Sequence, residues 1–519
     1  MKKIAIPLLI ILVCLPAFLA LLHPGFFVTD DGEWMIIRLT SFYQALADGQ
    51  FPVRFLHRLN FDYGYPVATF LYPGFLYAGV LLHILKFSFV ESIKIILGIS
   101  LFGSALFTYL WLANVFKNKF PSIIGAIIAL YFPYHLYDVY VRGSVGEVFA
   151  LMWVPFIFWM IEKRSMFFTS IGIFLLVISH NTLAALFLPL ILFYLSIKII
   201  FSKKKKAYLL HSLVTVLVGI SMAAFFWLPI IVELPITQFS RVSVSNPLEY
   251  FASLSLISFL GLFIIVVSII LFFKQKLWHS KKEINILFFL FFAVGLVSIL
   301  FSSSLSSPLW SIIPSSLIQF PFRLLSIEII AIPFLAAFIF THTNGMSRNG
   351  YLIVTILLLA IATYPYITPK EFIDRGEGFY ITNDATTTVK DEYQPRGASN
   401  KPTERPAKKV EVIKGEGVIE EVMYDNKTIQ FTANNKKDST VQINTLYWPG
   451  WKASLNGQSI HISSDNPKGV MTIEIPSGEQ QVVLQFIETQ TRLVADIVSI
   501  ISFVILIVFV RFQKRLFPI

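Results

Sequence analysis

Twelve apolar runs, most of them joined by short basic loops, dominate this chain and limit what it can fold into. They lie at roughly 4–22, 95–116, 121–137, 147–161, 166–179, 182–201, 208–230, 252–273, 284–302, 323–341, 350–366 and 493–510. About 20 apolar residues wound as a helix cross the roughly 30 Å hydrocarbon layer of a bilayer. The expected fold is therefore a polytopic α-helical membrane protein of about 12 to 13 spans. Composition agrees, since 55% of the 519 residues are hydrophobic and only 14% are charged, against roughly a quarter in soluble domains. So few charges cannot coat a water-soluble sphere. Lipid bilayer must be the main solvent.

A net charge of +11 raises the question of nucleic acid, and its location answers it. Residues 367–489 carry 14 Lys and Arg against 17 Asp and Glu, and the rest of the chain carries 28 against 14. That excess sits in short loops: Lys117 and Lys119, Lys163 and Arg164, Lys203 to Lys206, Lys274 to Lys282, and Arg511 to Arg515. Short basic loops mark the cytoplasmic side of a membrane protein, so no nucleic-acid partner is needed. With the N-terminus inside, segments 23–90, 138–146, 231–251, 303–322 and 367–492 fall on the outer side. The expected location is the plasma membrane, multi-pass, with both termini cytoplasmic. The first run is read as a retained helix. A cleaved signal peptide, with small residues Ala17 and Ala20 near a cleavage point, is the competing reading. Residues 67–85 are apolar enough to span, but a full span there would invert every later loop. Pro66, Pro73 and Gly74 favour a broken helix pair lying at or dipping into the outer interface. The single cysteine, Cys14, excludes an intramolecular disulfide and a multi-cysteine metal site.

Three regions follow from these patterns. Residues 1–366 form a multi-span domain that includes a first outer loop, 23–90. Residues 367–490 form an extracytoplasmic β-rich domain, and 491–519 form a last helix with a basic cytoplasmic tail. In the polar region, Thr428-Ile-Gln-Phe-Thr, Val441-Gln-Ile-Asn and Val482-Val-Leu-Gln-Phe alternate like half-buried strands. Asn456-Gly457 signals a hairpin, because both positions accept positive φ. A small antiparallel sandwich or jelly-roll-like domain is expected, entered through the extended Lys401-Pro-Thr-Glu-Arg-Pro. Within Tyr447-Trp-Pro-Gly-Trp451, core filling by the aromatic rings is favoured over stacking on sugar faces.

Candidate chemistry concentrates on the outer side. The first loop reads Thr29-Asp-Asp-Gly-Glu-Trp34, then Arg38, then Asp48-Gly-Gln-Phe-Pro-Val-Arg-Phe55, then Asp62-Tyr-Gly-Tyr-Pro66. Carboxylates partly withdrawn from water hold protons more tightly and suit a general base for a hydroxyl. Equally, Asp30 as N-cap with Glu33 three residues later would make an Asp version of a capping box. Outer-side arginines, Arg38, Arg54, Arg58, Arg142, Arg241 and Arg323, offer planar forks suited to phosphate or carboxylate, or simply snorkel at the interface. Tyr140-Val-Arg-Gly-Ser-Val-Gly-Glu147, Ser179-His-Asn181 and Gln319-Phe-Pro-Phe-Arg323 each read singly as caps or anchors. Together, they converge on one side from distant parts of the chain. Ionisable groups near a bilayer are costly and commonly functional.

The acidic pair after the first span, Gly-Gln-Phe-Pro-x-Arg ending at Arg54, and Gly-Tyr-Pro ending at Pro66 resemble the GT-C superfamily of membrane glycosyltransferases. More narrowly, these segments, with Val-Arg-Gly-Ser-x-Gly-Glu, Ser-His-Asn and Gln-Phe-Pro-Phe-Arg, resemble a membrane family labelled 6-pyruvoyl-tetrahydropterin synthase-related. That label carries no pterin chemistry here, because no synthase domain or zinc-histidine set is visible. The Tyr-Trp-Pro-Gly-Trp-Lys segment is similar to the C-terminal region of YfhO-type membrane proteins. The resemblance implies transfer of a sugar from a polyprenyl-phosphate-linked donor to a glycan, lipid or protein acceptor. It makes Asp31 or Asp30 the base, and Arg142 and Arg323 the phosphate holders. Arg38, Arg54, Glu147, His180 and Asn181 are the other expected substrate-binding residues. Trp34 and Met35 stand where the superfamily often has a histidine. No cofactor is implied, and enzymes of this kind with monophosphate donors generally need no metal. Two other classes stay open: a transporter or flippase of lipid-linked saccharide, and a non-catalytic scaffold with a carbohydrate-binding domain. A transporter should show repeated halves and mid-span charges, and the sequence has no internal repeat.

Overall fold

A computed structural model describes residues 5–242, 246–279, 282–312 and 318–516. Lys2 and Lys3, Lys281, part of the 303–322 loop and the last three residues of the basic tail lie outside the described residues.

The apolar runs are helices. Among the described residues, eight are long and apolar enough to cross a membrane: Phe89–Phe116, Lys119–Arg142, Val145–Glu162, Asn181–Ile200, Glu283–Ser302, Pro321–Thr341, Gly345–Tyr366 and Gln490–Phe509. Lys205–Met222 and Ala224–Ile236 meet the same test only together, as a pair bent by 65°. The remaining runs form shorter apolar helices, Leu9–Leu22, Met166–Ser179 and Phe259–Lys274. The chain is a polytopic membrane protein. Residues 67–85 break as their prolines suggest, into Val67–Phe70 and Gly74–Ile84. The second piece has 11 residues, about 16 Å of helix, too short to span.

The loops sort to two ends of the bundle. At one end, Lys198 Nζ bridges Glu162 at 2.8 Å and Glu283 at 2.5 Å. There too, Arg164 lies over the Tyr208 ring and Arg348 over Phe120, and Gln275 Nε2 donates to His342 O at 2.5 Å. These contacts join the basic connections. The first loop and the β-rich region sit at the other end. Strand β1, Phe26–Phe27, pairs antiparallel with β2, Phe372–Ile373, so the start of the first loop is tied to the exit of the last bundle helix.

Beyond residue 409 the chain forms strands β3 (Val410–Lys414), β4 (Gly417–Tyr424), β5 (Thr428–Asn435), β6 (Ser439–Leu446), β7 (Trp451–Leu455), β8 (Gln458–Ile460), β9 (Val470–Ile475) and β10 (Gly478–Phe486). They make a five-stranded sheet in the order β4-β5-β10-β7-β8 and a three-stranded sheet in the order β3-β6-β9. Ile429, Phe431 and Val482 from one sheet pack with Val441, Ile443 and Ile473 from the other, which is the core of a sandwich. The expected alternation is seen: Ile429, Phe431 and Ala433 are buried while their neighbours in β5 are not. Asn456 (φ 48°) and Gly457 (φ 83°) form the two-residue turn between β7 and β8.

The first loop is the platform between bundle and sandwich. Phe55 and Phe70 from this loop complete the sandwich core, and Leu446 N donates to Tyr63 O at 2.6 Å. Trp448 and Trp451 are buried, at 0% and 2% exposure. The core reading of that motif therefore holds for both, and Trp448 does more. Its Nε1 donates to Glu233 Oε2 at 3.1 Å, and Glu233 is held by Arg492 through 2.7 and 2.8 Å hydrogen bonds. Bent helix, last helix and sandwich thus meet at one buried ion pair.

Candidate functional site

A cavity of about 970 Å³ opens where the first loop meets the helix ends. Its geometry begins with the turn between two spans. Helix Lys119–Tyr131 breaks before Pro133, and residues Asp138–Arg142 wind as a wide i→i+5 turn, a feature frequent at functional sites. Gly143 then reverses the chain at φ +67°. A Cβ on Gly143 would lie 2.3 Å from Thr29 Oγ1 and 2.6 Å from Gly32 N, so only glycine lets this turn touch the first loop. Backbone hydrogen bonds complete the weld: Asp30 N donates to Val141 O at 3.1 Å and Asp31 N to Arg142 O at 2.8 Å.

The capping box expected from Asp30 and Glu33 does not form. Thr29 Oγ1 accepts from Gly32 N at 3.0 Å and caps helix Gly32–Ala47 instead. Glu33 is engaged by Arg375 at 2.9 Å and Tyr380 at 3.1 Å. A threonine hydroxyl needs no charge to do this work, which leaves both aspartates on the cavity wall. Burial, then the neighbouring Asp31 charge, raises the Asp30 carboxyl above the ordinary range, with Arg142 and Lys370 opposing.

Beside them stands a buried ionic hub. Glu147, in the first turn of Val145–Glu162 and 0% exposed, accepts from Arg142 Nη1 and Arg323 Nε, each at 2.8 Å to Oε1. Tyr134 OH donates to its Oε2 at 3.1 Å, and His180 Nε2 lies 3.7 Å from Oε1. Arg142 also reaches Asp138 at 2.6 Å, and Arg323 reaches Gln319 Oε1 at 3.0 Å. The Phe320 and Phe322 rings, stacked 5.2 Å apart, lie under the two guanidinium groups at 5.0 and 5.1 Å. Gly146 lets Tyr72 reach this wall, because a Cβ there would be 1.9 Å from the Tyr72 ring. Tyr72 in turn packs on His180 with ring centres 4.4 Å apart.

Four helices begin at this cavity. Asp31, Ser144, His180 and Phe320, the residues that precede Gly32–Ala47, Val145–Glu162, Asn181–Ile200 and the Pro321–Thr341 span, all line it. Helix N-termini carry partial positive charge and unsatisfied N–H groups, so together with Arg142, Arg323 and Arg38 they favour an anion. His180 Nδ1 accepts from Leu183 N at 3.3 Å, the cap its position suggests.

Asp30, Asp31, Arg38, Arg142, His180, Asn181 and Arg323 therefore line one cavity, with Glu147 directly behind it. Arg54 does not. It is 2% exposed and joins Glu488 at 3.3 Å, Asp496 at 3.0 Å and Phe225 O at 2.7 Å. An arginine at this end of the bundle suits a distant carboxylate as well as a phosphate, and burial against the last helix chose the carboxylates. Arg58 is likewise structural, donating to Thr40 Oγ1 at 2.7 Å and to the Ile381 carbonyl.

Part of the wall comes from residues that the sequence reading assigned only to the β-rich region. Residues 385–393 return over the cavity before the sandwich begins, bringing Thr386, Thr387, Thr388, Lys390, Glu392 and Tyr393. Arg38 Nε donates to Thr387 Oγ1 at 2.9 Å, and its Nη2 to the Thr387 carbonyl. The segment's lack of strand alternation is its only sequence signal. Among the described residues, no group of three or more His, Cys, Asp or Glu is placed to hold a metal ion.

No curated protein matches the chain. Among solved structures, the chain is similar to the arabinofuranosyltransferase AftD from mycobacteria, with a TM-score of 0.49 and 12% identity. The match covers 73% of this chain and only 28% of that one. Residues 71–369 match the model of the 6-pyruvoyl-tetrahydropterin synthase related domain, a membrane protein family. That stretch is more than half of the chain and carries the Arg142, Glu147, His180 and Arg323 motifs. The chain belongs to the 6-pyruvoyl-tetrahydropterin synthase related family of membrane proteins.

Proposed function

We propose that this protein is a GT-C-type membrane glycosyltransferase. It moves a sugar from a polyprenyl-phosphate-linked donor to a hydroxyl of an extracytoplasmic glycan, lipid or protein acceptor. The observation that carries this reading is one cavity lined by both an aspartate pair and a carboxylate-locked arginine pair, among four helix N-termini. The basic ends of the helices face the cytoplasm by the positive-inside rule, so the cavity and residues 367–490 face outward.

In this reading the donor phosphate sits against Arg142 and Arg323. Glu147 holds both guanidinium groups before substrate arrives, so little reorganisation accompanies charge development on the leaving phosphate. Asp31 takes the acceptor hydroxyl's proton as its oxygen attacks the anomeric carbon. Asp30 raises the local negative charge beside it. The Tyr72, Phe320 and Phe322 rings supply apolar faces for the sugar or the first isoprene units.

Separate Asp30→Asn and Asp31→Asn variants test the reading, with membrane abundance confirmed while surface glycans and lipid-linked sugars are followed. Transfer should fall with donor accumulating on the outer leaflet. Unchanged transfer in both variants removes the catalytic role, and donor trapped on the inner leaflet would mark a flippase instead.

A further inference from the structure

The transfer reading uses one carboxylate as base, yet the cavity holds another from a remote part of the chain. Glu392 lines it, and the backbone is pinned on both sides of this residue. Upstream, Thr387 is gripped by Arg38, and Thr388 Oγ1 lies 2.8 Å from Tyr65 Oη. Downstream, Tyr393 N donates to Tyr65 Oη at 2.9 Å. The Tyr393 ring is sandwiched between Phe70, at 4.8 Å and 11°, and Phe239, at 5.8 Å and 9°. Gln394 Nε2 donates to Asn60 Oδ1 at 3.0 Å. The backbone that carries Glu392 is thus held at the cavity before substrate binds.

The adjacent carboxylate is committed elsewhere. Asp391 accepts from Thr386 at 2.5 Å and pairs with Lys401 at 3.0 Å. Glu392 enters no ion pair among the described residues. The charged and titratable groups facing it are Arg38 on Gly32–Ala47, Asp31 before that helix, and Asp391 and Tyr393 in its own segment. Burial pushes its carboxyl up to about 7, against the pull of Arg38 and a hydrogen bond with Tyr393, and with Asp31 and Asp391 adding to the rise. A bound anionic headgroup would raise it further and so favour the protonated form in the donor complex.

We infer, resting on the glycosyltransferase reading, that Glu392 is the general acid of the reaction and that Asp31 is its base. The acceptor O–H bond breaks with its proton going to Asp31, and the oxygen bonds to the anomeric carbon. The bond from that carbon to the phosphate oxygen breaks, its electron pair staying on the oxygen, which takes the Glu392 proton. Asp31 ends protonated and Glu392 ionised, and exchange of one proton with water resets both. Two carboxyl groups whose environments differ are the usual division of acid from base.

The test uses the full-length protein in lipid nanodiscs and methyl farnesyl phosphate, a prenyl phosphodiester of constant single charge. Titration calorimetry near neutral pH, in two buffers of different ionisation heat, counts protons exchanged per probe bound. Wild type should take up a fraction of a proton, Glu392→Gln none, and Glu392→Asp should restore uptake. Uptake unchanged in Glu392→Gln, or absent from a binding wild type, overturns the inference and leaves the transferase reading standing. Uptake lost in Asp31→Asn but kept in Glu392→Gln overturns it too, assigning the proton to Asp31. No binding by wild type overturns the phosphodiester reading itself.

Discussion

Glu147 Oε1 lies 2.8 Å from Arg323 Nε, joining the start of Val145–Glu162 to the start of the Pro321–Thr341 span, and it accepts from Arg142 at the same distance. The carboxylate is wholly buried and both arginines are 4% exposed. Removing one member of a buried ionic cluster leaves the others uncompensated, at a cost of roughly 3–5 kcal/mol. Glu147→Gln should lower the unfolding temperature in detergent and weaken binding of a prenyl phosphodiester. Wild-type unfolding with wild-type binding would mean that the hub neither holds the helices nor shapes the cavity.

Gly146→Ala isolates the packing of the same wall. Its added Cβ would fall 1.9 Å from the Tyr72 ring, so the ring must move away from His180. Overpacking of this kind costs about 1–3 kcal/mol. Thermal unfolding should show that loss, and probe affinity should drop with it. Affinity unchanged despite a lower unfolding temperature would place Tyr72 outside the binding surface.

Arg492→Met tests how the sandwich is attached. Glu233 would keep only Trp448 as a donor, a buried charge left short by about 3–5 kcal/mol. The contact between sandwich and bundle should loosen, and limited proteolysis in the extended 401–406 segment should speed up. Cleavage at the wild-type rate would show that Phe55 and Phe70 suffice to dock the sandwich.

Lys409 gives stability a pH signature. Burial is the largest influence and lowers its ammonium to about 8 from 10.5, with Asp62 opposing. Below 8 both folded and unfolded chains carry the proton. Between 8 and 10.5 the folded chain has released it while the unfolded chain has not, so stability contributed by this site rises with pH across that window. Unfolding temperatures compared at pH 8 and pH 10 should show a rise in wild type that Lys409→Met lacks. Equal slopes in the two proteins would refute the assignment.

What could be read without coordinates was what neighbours in the chain decide. Each apolar run became a helix because its length and composition require it in lipid. The Asn456-Gly457 turn followed from two residues that tolerate positive φ. Gly143 and Gly146 stood out in a motif, but their need appeared only when Thr29 and Tyr72 were seen against them. Asp30 looked like a cap by spacing. Thr29, one residue earlier, took that role by aiming its hydroxyl at Gly32 N. Arg54 and Arg142 were both expected to bind substrate. Arg54 met Glu488 and Asp496 in the packed structure, whereas Arg142 was held beside open space by Glu147.

By itself, the sequence determined that the chain spans a membrane many times, that its basic connections group apart from its polar domain, and which motifs carry charge. Hydropathy and local backbone preference suffice for that, because each acts over a few residues. Only the tertiary structure decided that Glu392 shares a cavity with the first-loop aspartates, and that four helix N-termini surround the same space. Those relations join residues hundreds of positions apart. Burial, which selects each ionic partner, is a property of the packed whole.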